Sequence, residues 1–241
     1  MIFDKYIRGI AVMNGKIRTR WLGICTSVLA VLVLFVVAVY AYDSPGGIAD
    51  WRFSRAIGNN WIMQIPVGKT PDDAVQKFRG ITNNQVIHQE KIDGGAILFY
   101  KNNENKEGSD LQIEIVHHTW LGWKWVWGGG YSISNGTDSD VAFDYMSMPR
   151  SKGLHGPFPI LVGQVMDSNV DNVTVTFDGD NAATYDAKLI PIGAEEKLWY
   201  VVLPASATAP FKIDASNADH KLIASTTFTD PHNSESVCLT S

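Results

Sequence analysis

Residues 21–42 (WLGICTSVLAVLVLFVVAVYAY) carry no charged side chain, and from position 28 to position 39 they are apolar without a break. As a helix rising about 1.5 Å per residue, the stretch reaches about 33 Å, enough to cross a hydrocarbon core of about 30 Å. A lone segment in lipid has to satisfy its own N–H and C=O groups, and a helix does so. Such a run divides the chain into a short piece before it and a soluble body after it.

The flanking charges give the run a direction. Lys5, Arg8, Lys16, Arg18 and Arg20 precede it against the single acid Asp4, whereas Asp43 follows it and the next basic residue is Arg52. A basic excess beside one end of a membrane helix marks the cytoplasmic side. The chain is therefore expected at the plasma membrane, with a cytoplasmic amino terminus and an extracytoplasmic body. Trp21, Tyr40 and Tyr42 suit the two interfacial belts, where a ring is half wet. A cleaved signal peptide is the rival reading, with Val39-Tyr40-Ala41 as its exit. The apolar run exceeds the usual length of about 7–15 residues for such a peptide, which favours a retained anchor.

About 195 of the 241 residues follow the run, room for one large domain or two small ones. The formal charge of −5 hides an asymmetry: without the first 20 residues, 15 basic side chains face 24 acidic ones, about −9. A surface of that sign repels phosphate backbones, so no nucleic-acid partner is expected. Of the two cysteines, Cys25 lies in the run and Cys238 near the far end, so the body has to fold without a disulfide.

The layout expected from these signals is a basic cytoplasmic tail (1–20), a transmembrane helix (21–42), a membrane-proximal α+β module (43–133), a linker (134–156), an all-β immunoglobulin-like sandwich (157–228) and a C-terminal tail (229–241). Ser44-Pro45-Gly46-Gly47 reads as a flexible spacer. Thr70 as a cap, Pro71 at the first position, Asp72 and Asp73 in the first turn and Gly80 as the stop mark a short helix with Ala74, Val75 and Phe78 on one stripe. Asp93-Gly94-Gly95 between the apolar runs 86–92 and 96–101 predicts a β-hairpin. One long strand is expected over 111–126. Leu111, Ile113, Ile115, Leu121, Trp123, Trp125 and Trp127 share a parity and hence a face, opposite Gln112, Glu114, His118 and Lys124. One helix on a three-stranded antiparallel sheet would bury the odd face.

Trp120, Trp123, Trp125, Trp127 and Tyr131 form the densest aromatic patch of the body. Rows of exposed rings stack on sugar faces, so a glycan-binding platform is one reading; burial in the core is the other, because the parity continues from Leu111. Gly128-Gly129-Gly130 fits a bend or bulge. The segment 134–156 is polar and lacks periodicity. Asp138, Asp140 and Asp144 in it have the oxygen ligands calcium prefers, but no EF-hand spacing, and no metal is assigned.

Beyond it, short strands are expected at 159–162, 173–177, 184–190, 198–203, 211–215 and 222–226, a pattern of antiparallel sandwiches. Gly163-Gln-Val-Met-Asp-Ser-Asn-Val170, Val173-Thr-Val-Thr-Phe177, Trp199 and the segment Phe211-Lys-Ile-Asp-Ala-Ser-Asn-Ala-Asp219 together resemble the bacterial immunoglobulin-like or fibronectin-type repeats of surface proteins. The resemblance covers about 70 residues and implies a spacer or adhesion module without catalytic residues. The overall layout is similar to uncharacterised membrane-anchored proteins of Gram-positive bacteria.

Chemistry is poorly marked. Val67-Gly68-Lys69-Thr70 imitates the end of a phosphate loop, yet Met63 stands where the motif needs glycine. There is no G-x-S-x-G or H-E-x-x-H. His117 and His118, adjacent on a strand, point to opposite faces. No catalytic residue, metal or cofactor is assigned. The expected function is a non-enzymatic, single-pass membrane-anchored extracytoplasmic binding or interaction module, held through 21–42, with a protein or cell-wall glycan as its partner outside. A membrane-tethered regulator or sensor acting through a partner membrane protein, and a glycan-acting enzyme, are the alternatives.

Overall fold

Three strand sequences of this chain are apolar on both faces, which requires a sheet covered on both sides. They are β6 (Val141–Met148), β7 (Ile160–Val165) and β11 (Lys197–Val202), and every residue of β7 is buried. The computed structural model describes residues 2–80, 85–102, 108–134, 140–150, 156–177, 182–193 and 196–240, with the backbone alone for 2–20, 22, 102, 108–110 and 131–134. In it the three strands lie inside a five-stranded antiparallel sheet, completed at its edges by β10 (Lys188–Pro191) and β14 (Ser234–Cys238), in the order β10-β11-β7-β6-β14.

A four-stranded sheet covers one face of this central layer, in the order β13 (Leu222–Phe228), β12 (Phe211–Ser216), β8 (Asn172–Phe177), β9 (Ala183–Asp186). Phe143, Tyr145, Leu161, Trp199 and Val201 of the central sheet meet Val173, Val175, Phe177, Phe211, Ile213 and Phe228 there. The alternate residues Ile160, Val162, Leu198 and Tyr200 point the other way. They pack, with Phe158 and Met148, on Ile97, Phe99, Leu111, Ile113 and Ile115 of a third sheet. That sheet runs β1 (Val67–Gly68), β5 (Gly122–Ser134), β4 (Gly108–Thr119), β3 (Gly95–Asn102), β2 (Gln85–Ile92). Its outer face carries Ala96, Leu98, Tyr100, Val116 and Trp125 under the helix α3 (Pro71–Arg79).

Trp199 and Gly163 show how closely the central strands are fitted. They are cross-strand partners, and the Trp199 indole donates to the Asp144 carbonyl at 3.0 Å. A β-carbon on Gly163 would stand 1.9 Å from that carbonyl oxygen. Between the central and third sheets the packing is joined by a polar clamp. Glu90 of β2 accepts from Lys188 (2.8 Å) and from the Tyr200 hydroxyl (2.6 Å). The Lys188 ammonium, then the Tyr200 hydroxyl, hold the Glu90 carboxyl below its ordinary value of 4.5.

The local signals of α3 are realised in full: the Thr70 hydroxyl caps Asp73 N–H at 3.1 Å, Pro71 opens the helix, and Gly80 ends it in the left-handed region. The hairpin of β2 and β3 turns at Asp93-Gly94 as expected. Of the outer strands, the segment 184–190 divides, because the chain crosses between sheets at Ala187 to make β9 and then β10.

Several expectations need correction. The proximal sheet has five strands rather than three. The expected strand 111–126 is two strands, reversed at Trp120-Leu121, where Thr119 Oγ1 donates to the Gly122 carbonyl at 3.0 Å and Gly122 takes φ +137°. A parity count cannot pass through a reversal, and a bulge between Ile115 and Val116 shifts it again. The odd residues of β4 consequently face the central sheet, and α3 covers the opposite face. Segments 134–156 and 229–241, expected as linker and tail, each supply a central-sheet strand, β6 and β14. Asp138 lies outside the described residues, while Asp144 is buried and its Oδ1 accepts from the Gln164 N–H at 2.7 Å. Before the body stands α1 (Ile2–Asp43), the one helix among the described residues that is long and apolar enough to cross a membrane.

Gly163→Ala is expected to lower stability by about 3 kcal/mol or more, or to prevent folding, as read by urea unfolding. Glu90 contributes stability that is whole above its unfolded value and is lost as pH falls through its lower folded value. Glu90→Gln should therefore lose about 1 kcal/mol at neutral pH and differ progressively less from the parent below pH about 4.5.

Candidate functional site

The site forms where α1 ends. Gly46 takes φ +77° and Gly47 has no room for a side chain, since a β-carbon would meet the Ala41, Ser44 and Tyr42 carbonyl oxygens at 2.7–2.9 Å. Ser44 N–H bonds to the Tyr40 carbonyl (3.0 Å), and Gly47 N–H to that of Ser44 (2.8 Å). The expected spacer 44–47 is thus a locked turn, corrected here by its own hydrogen bonds. It leads directly into α2 (Ile48–Ala56).

Asp50, in the first turn of α2 where a carboxylate suits the helix dipole, is 1 % exposed. Its Oδ2 accepts from Gly46 N–H (2.8 Å) and Ile65 N–H (2.9 Å), and its Oδ1 is bonded to the Lys124 ammonium. Lys124 also donates to the Asp43 backbone carbonyl, the last of α1, at 3.1 Å. Lys124 is itself buried, on β5 opposite Val67 of β1. One ion pair therefore ties the exit of α1, the turn, α2 and the proximal sheet together. Ser54 extends it, donating to the Asp50 carbonyl (2.7 Å) and accepting from Met63 N–H (2.8 Å).

Beside this knot lies a cavity of about 1090 Å³. Phe53, Ala49, Ala56, Ile65 and Val126 supply apolar wall, Asp50 and Lys124 a neutralised floor, and His117, His118, Arg52 and Trp120 reach it from the hairpin and α2. Arg52 contacts the Tyr42 hydroxyl at 3.4 Å, and His118 sits edge-on to Trp123 with ring centres 4.8 Å apart. An apolar hollow with few polar groups at its edge is the usual form of a small-ligand site.

The predicted aromatic patch is spread over three environments. Trp125 is 7 % exposed, stacked on Phe78 at 3.9 Å and met edge-on by Phe53. Trp123 and Trp127 are half-buried at the rim of the α3-covered core. Trp120 is 78 % exposed at the hairpin tip. Tyr131 is on β5, its side chain outside the description. The four described tryptophans do not form one exposed row.

A second polar knot lies under α3. Glu114, 0 % exposed, accepts from Arg79 Nε (2.8 Å), the Trp125 indole and the Gln112 amide. Arg79 lies over the Trp125 ring at 5.2 Å. Gly128 makes room for the carboxylate: a β-carbon there would be 1.9 Å from Oε2. Both oxygens of Glu114 are engaged by donors, so the buried carboxylate ties α3 to the strands beneath it. Nearby, burial first and then the hydrogen bond to Asp72 (3.0 Å) push the Tyr100 phenol far above its ordinary range.

Asp50 carries no local sequence signal, and parity sets Lys124 and Glu114 on the strand face opposite the odd-numbered apolar residues. The available signal was their setting: Lys124 stands between Trp123 and Trp125, and Glu114 between Ile113 and Ile115, inside strands too apolar to have a wet side. No family model matches the chain, and neither does any curated protein or solved structure compared with it.

Removing one charge leaves the other buried and unpaired, so Lys124→Met or Asp50→Asn should each cost about 3–5 kcal/mol in urea unfolding. The double variant should recover part of that loss, which a double-mutant cycle reads directly.

Proposed function

We propose that the chain is a non-enzymatic, single-pass membrane-anchored protein whose body lies outside the cell and binds a partner there. The observation that carries this reading is the junction: the described side chains of α1 from Gly23 to Tyr42 are exposed or nearly so, and the helix is fastened to a β-body with a large cavity beside the fastening. An uncovered apolar helix of this length is long enough to cross a bilayer, which supports reading it as a membrane span. The basic residues before it support the orientation. The central and four-stranded sheets, both antiparallel with Trp199 buried between them, support reading that unit as an immunoglobulin-like module of the kind that bacterial surface proteins carry. The partner is a protein or a cell-wall glycan.

A second reading, a regulator acting through another membrane protein, is favoured by one specific observation. The turn after α1 is hydrogen-bonded rather than loose, so force on the body passes into the helix. A photo-crosslinker at Leu34, 68 % exposed, would join that partner. Exchange of 21–42 for an unrelated apolar helix should abolish the adduct if the regulator reading holds; lipid adducts alone leave a simple tether.

Topology has a direct test, because Cys238 is exposed on β14 and Cys25 lies in α1. A membrane-impermeant maleimide applied to intact cells is expected to label the protein, and Cys238→Ser to abolish most of the label. Labelling only after lysis would reverse the orientation.

A further inference from the structure

We infer that the tip of the β4–β5 hairpin, Trp120-Leu121, is a second membrane contact that enters the lipid beside α1 and holds the body against the bilayer surface. The inference rests on reading α1 as a membrane span and adds a lipid-binding surface to the body.

The two tip residues are exposed, Trp120 by 78 % and Leu121 by 38 %, and they are apolar at a place where a two-residue turn needs neither. The turn itself is secured by Thr119, whose hydroxyl donates to the Gly122 carbonyl and accepts from Leu121 N–H at 3.2 Å. Trp120 and Leu121 are therefore not needed to shape it.

Their position identifies the partner. The Trp120 ring lies edge-on to Phe35 with centres 5.4 Å apart. Phe35 is seven residues before Tyr42, which at about 1.5 Å per residue places it about 10 Å below the helix end that carries the interfacial tyrosines. A tip that reaches Phe35 from outside has passed the headgroup level on that side. The groups just above it suit that level: Arg52 with the Tyr42 hydroxyl, and the exposed His117 and His118. On α2, Ile48 and Trp51 add exposed apolar surface at the same foot of the body, 49 % and 47 % exposed. A tryptophan ring carries a large apolar area, which favours its entry into the acyl region below that level. The occupant of the patch is thus the outer acyl and headgroup boundary of the bilayer, not a second protein.

The test uses the full chain with Cys25→Ser and Cys238→Ser, in vesicles of phosphatidylcholine and phosphatidylglycerol. Single cysteines at Trp120, Tyr42 and Asp219 are labelled with an environment-sensitive fluorophore and quenched by lipids brominated at shallow acyl positions. Asp219, in the exposed turn between β12 and β13, reports water. Labels at 120 and 42 are expected to be quenched several-fold more than the label at 219, and to emit at shorter wavelength. A label at 120 that matches 219 while 42 is quenched overturns the inference and leaves the anchor standing. A label at 120 that is shielded from water yet unquenched by lipid points to protein burial and equally overturns it. A label at 42 that reads as water removes the anchor reading, and the inference with it. Trp120→Ser in the unlabelled chain should unfold at the parent's urea midpoint, separating tip contact from stability.

Discussion

Two buried charges, Asp50 and Lys124, hold the junction on which the rest of the molecule depends. Taking both from water is costly, and their mutual attraction returns that cost only when the remaining hydrogen-bonding capacity is used. Here it is: Asp50 also receives two backbone N–H groups, and Lys124 also reaches the last carbonyl of α1. A hydrophobic substitute of equal volume would pack as well but would specify no angle. The pair instead selects one arrangement of helix, turn and sheet, because every one of its partners is a fixed backbone or side-chain atom.

The body above the junction is layered rather than divided. The central sheet is shared, one face belonging to the sandwich core and the other to the sheet beneath α3. β7 illustrates the consequence at residue level. Leu161 and Val165 point into one core, Ile160 and Val162 into the other, and Gly163 yields its place to Trp199. A defect in this strand is felt in both cores at once. The Glu90 clamp works across the same boundary, joining β2 to β10 and β11 through charge where the cores join through packing.

How much of this was legible follows from the range over which each cause acts. The helix α3 was readable because Thr70, Pro71 and Gly80 act on their own neighbours. The β2–β3 hairpin was readable for the same reason, from Asp93-Gly94. Most outer strands were visible through alternation, as in Val173, Val175 and Phe177. The reversal at Trp120-Leu121 was not, since its usual turn residues are missing; Gly122 is the sole glycine there, and its constraint is the carbonyl of Gly68, far away in sequence. Without the reversal, parity sets α3 on the odd face, which in fact meets the central sheet. The site was less legible still. Asp50 and Lys124 are 74 residues apart, and nothing local to either announces the other.

The hairpin's contact with Phe35 has a geometric corollary for α1. Successive residues of a helix advance by about 100°, so Val33 and Val37 lie about 200° around the axis from Phe35. The hairpin tip stands on the Phe35 side, whereas Val33 and Val37 lie on the far flank, 55 % and 58 % exposed. A neighbouring helix laid along that far flank of α1 meets no part of the hairpin. Because the turn at 44–47 fixes azimuth as well as distance, two chains meeting flank to flank would carry their bodies on opposite outer sides, facing away from each other.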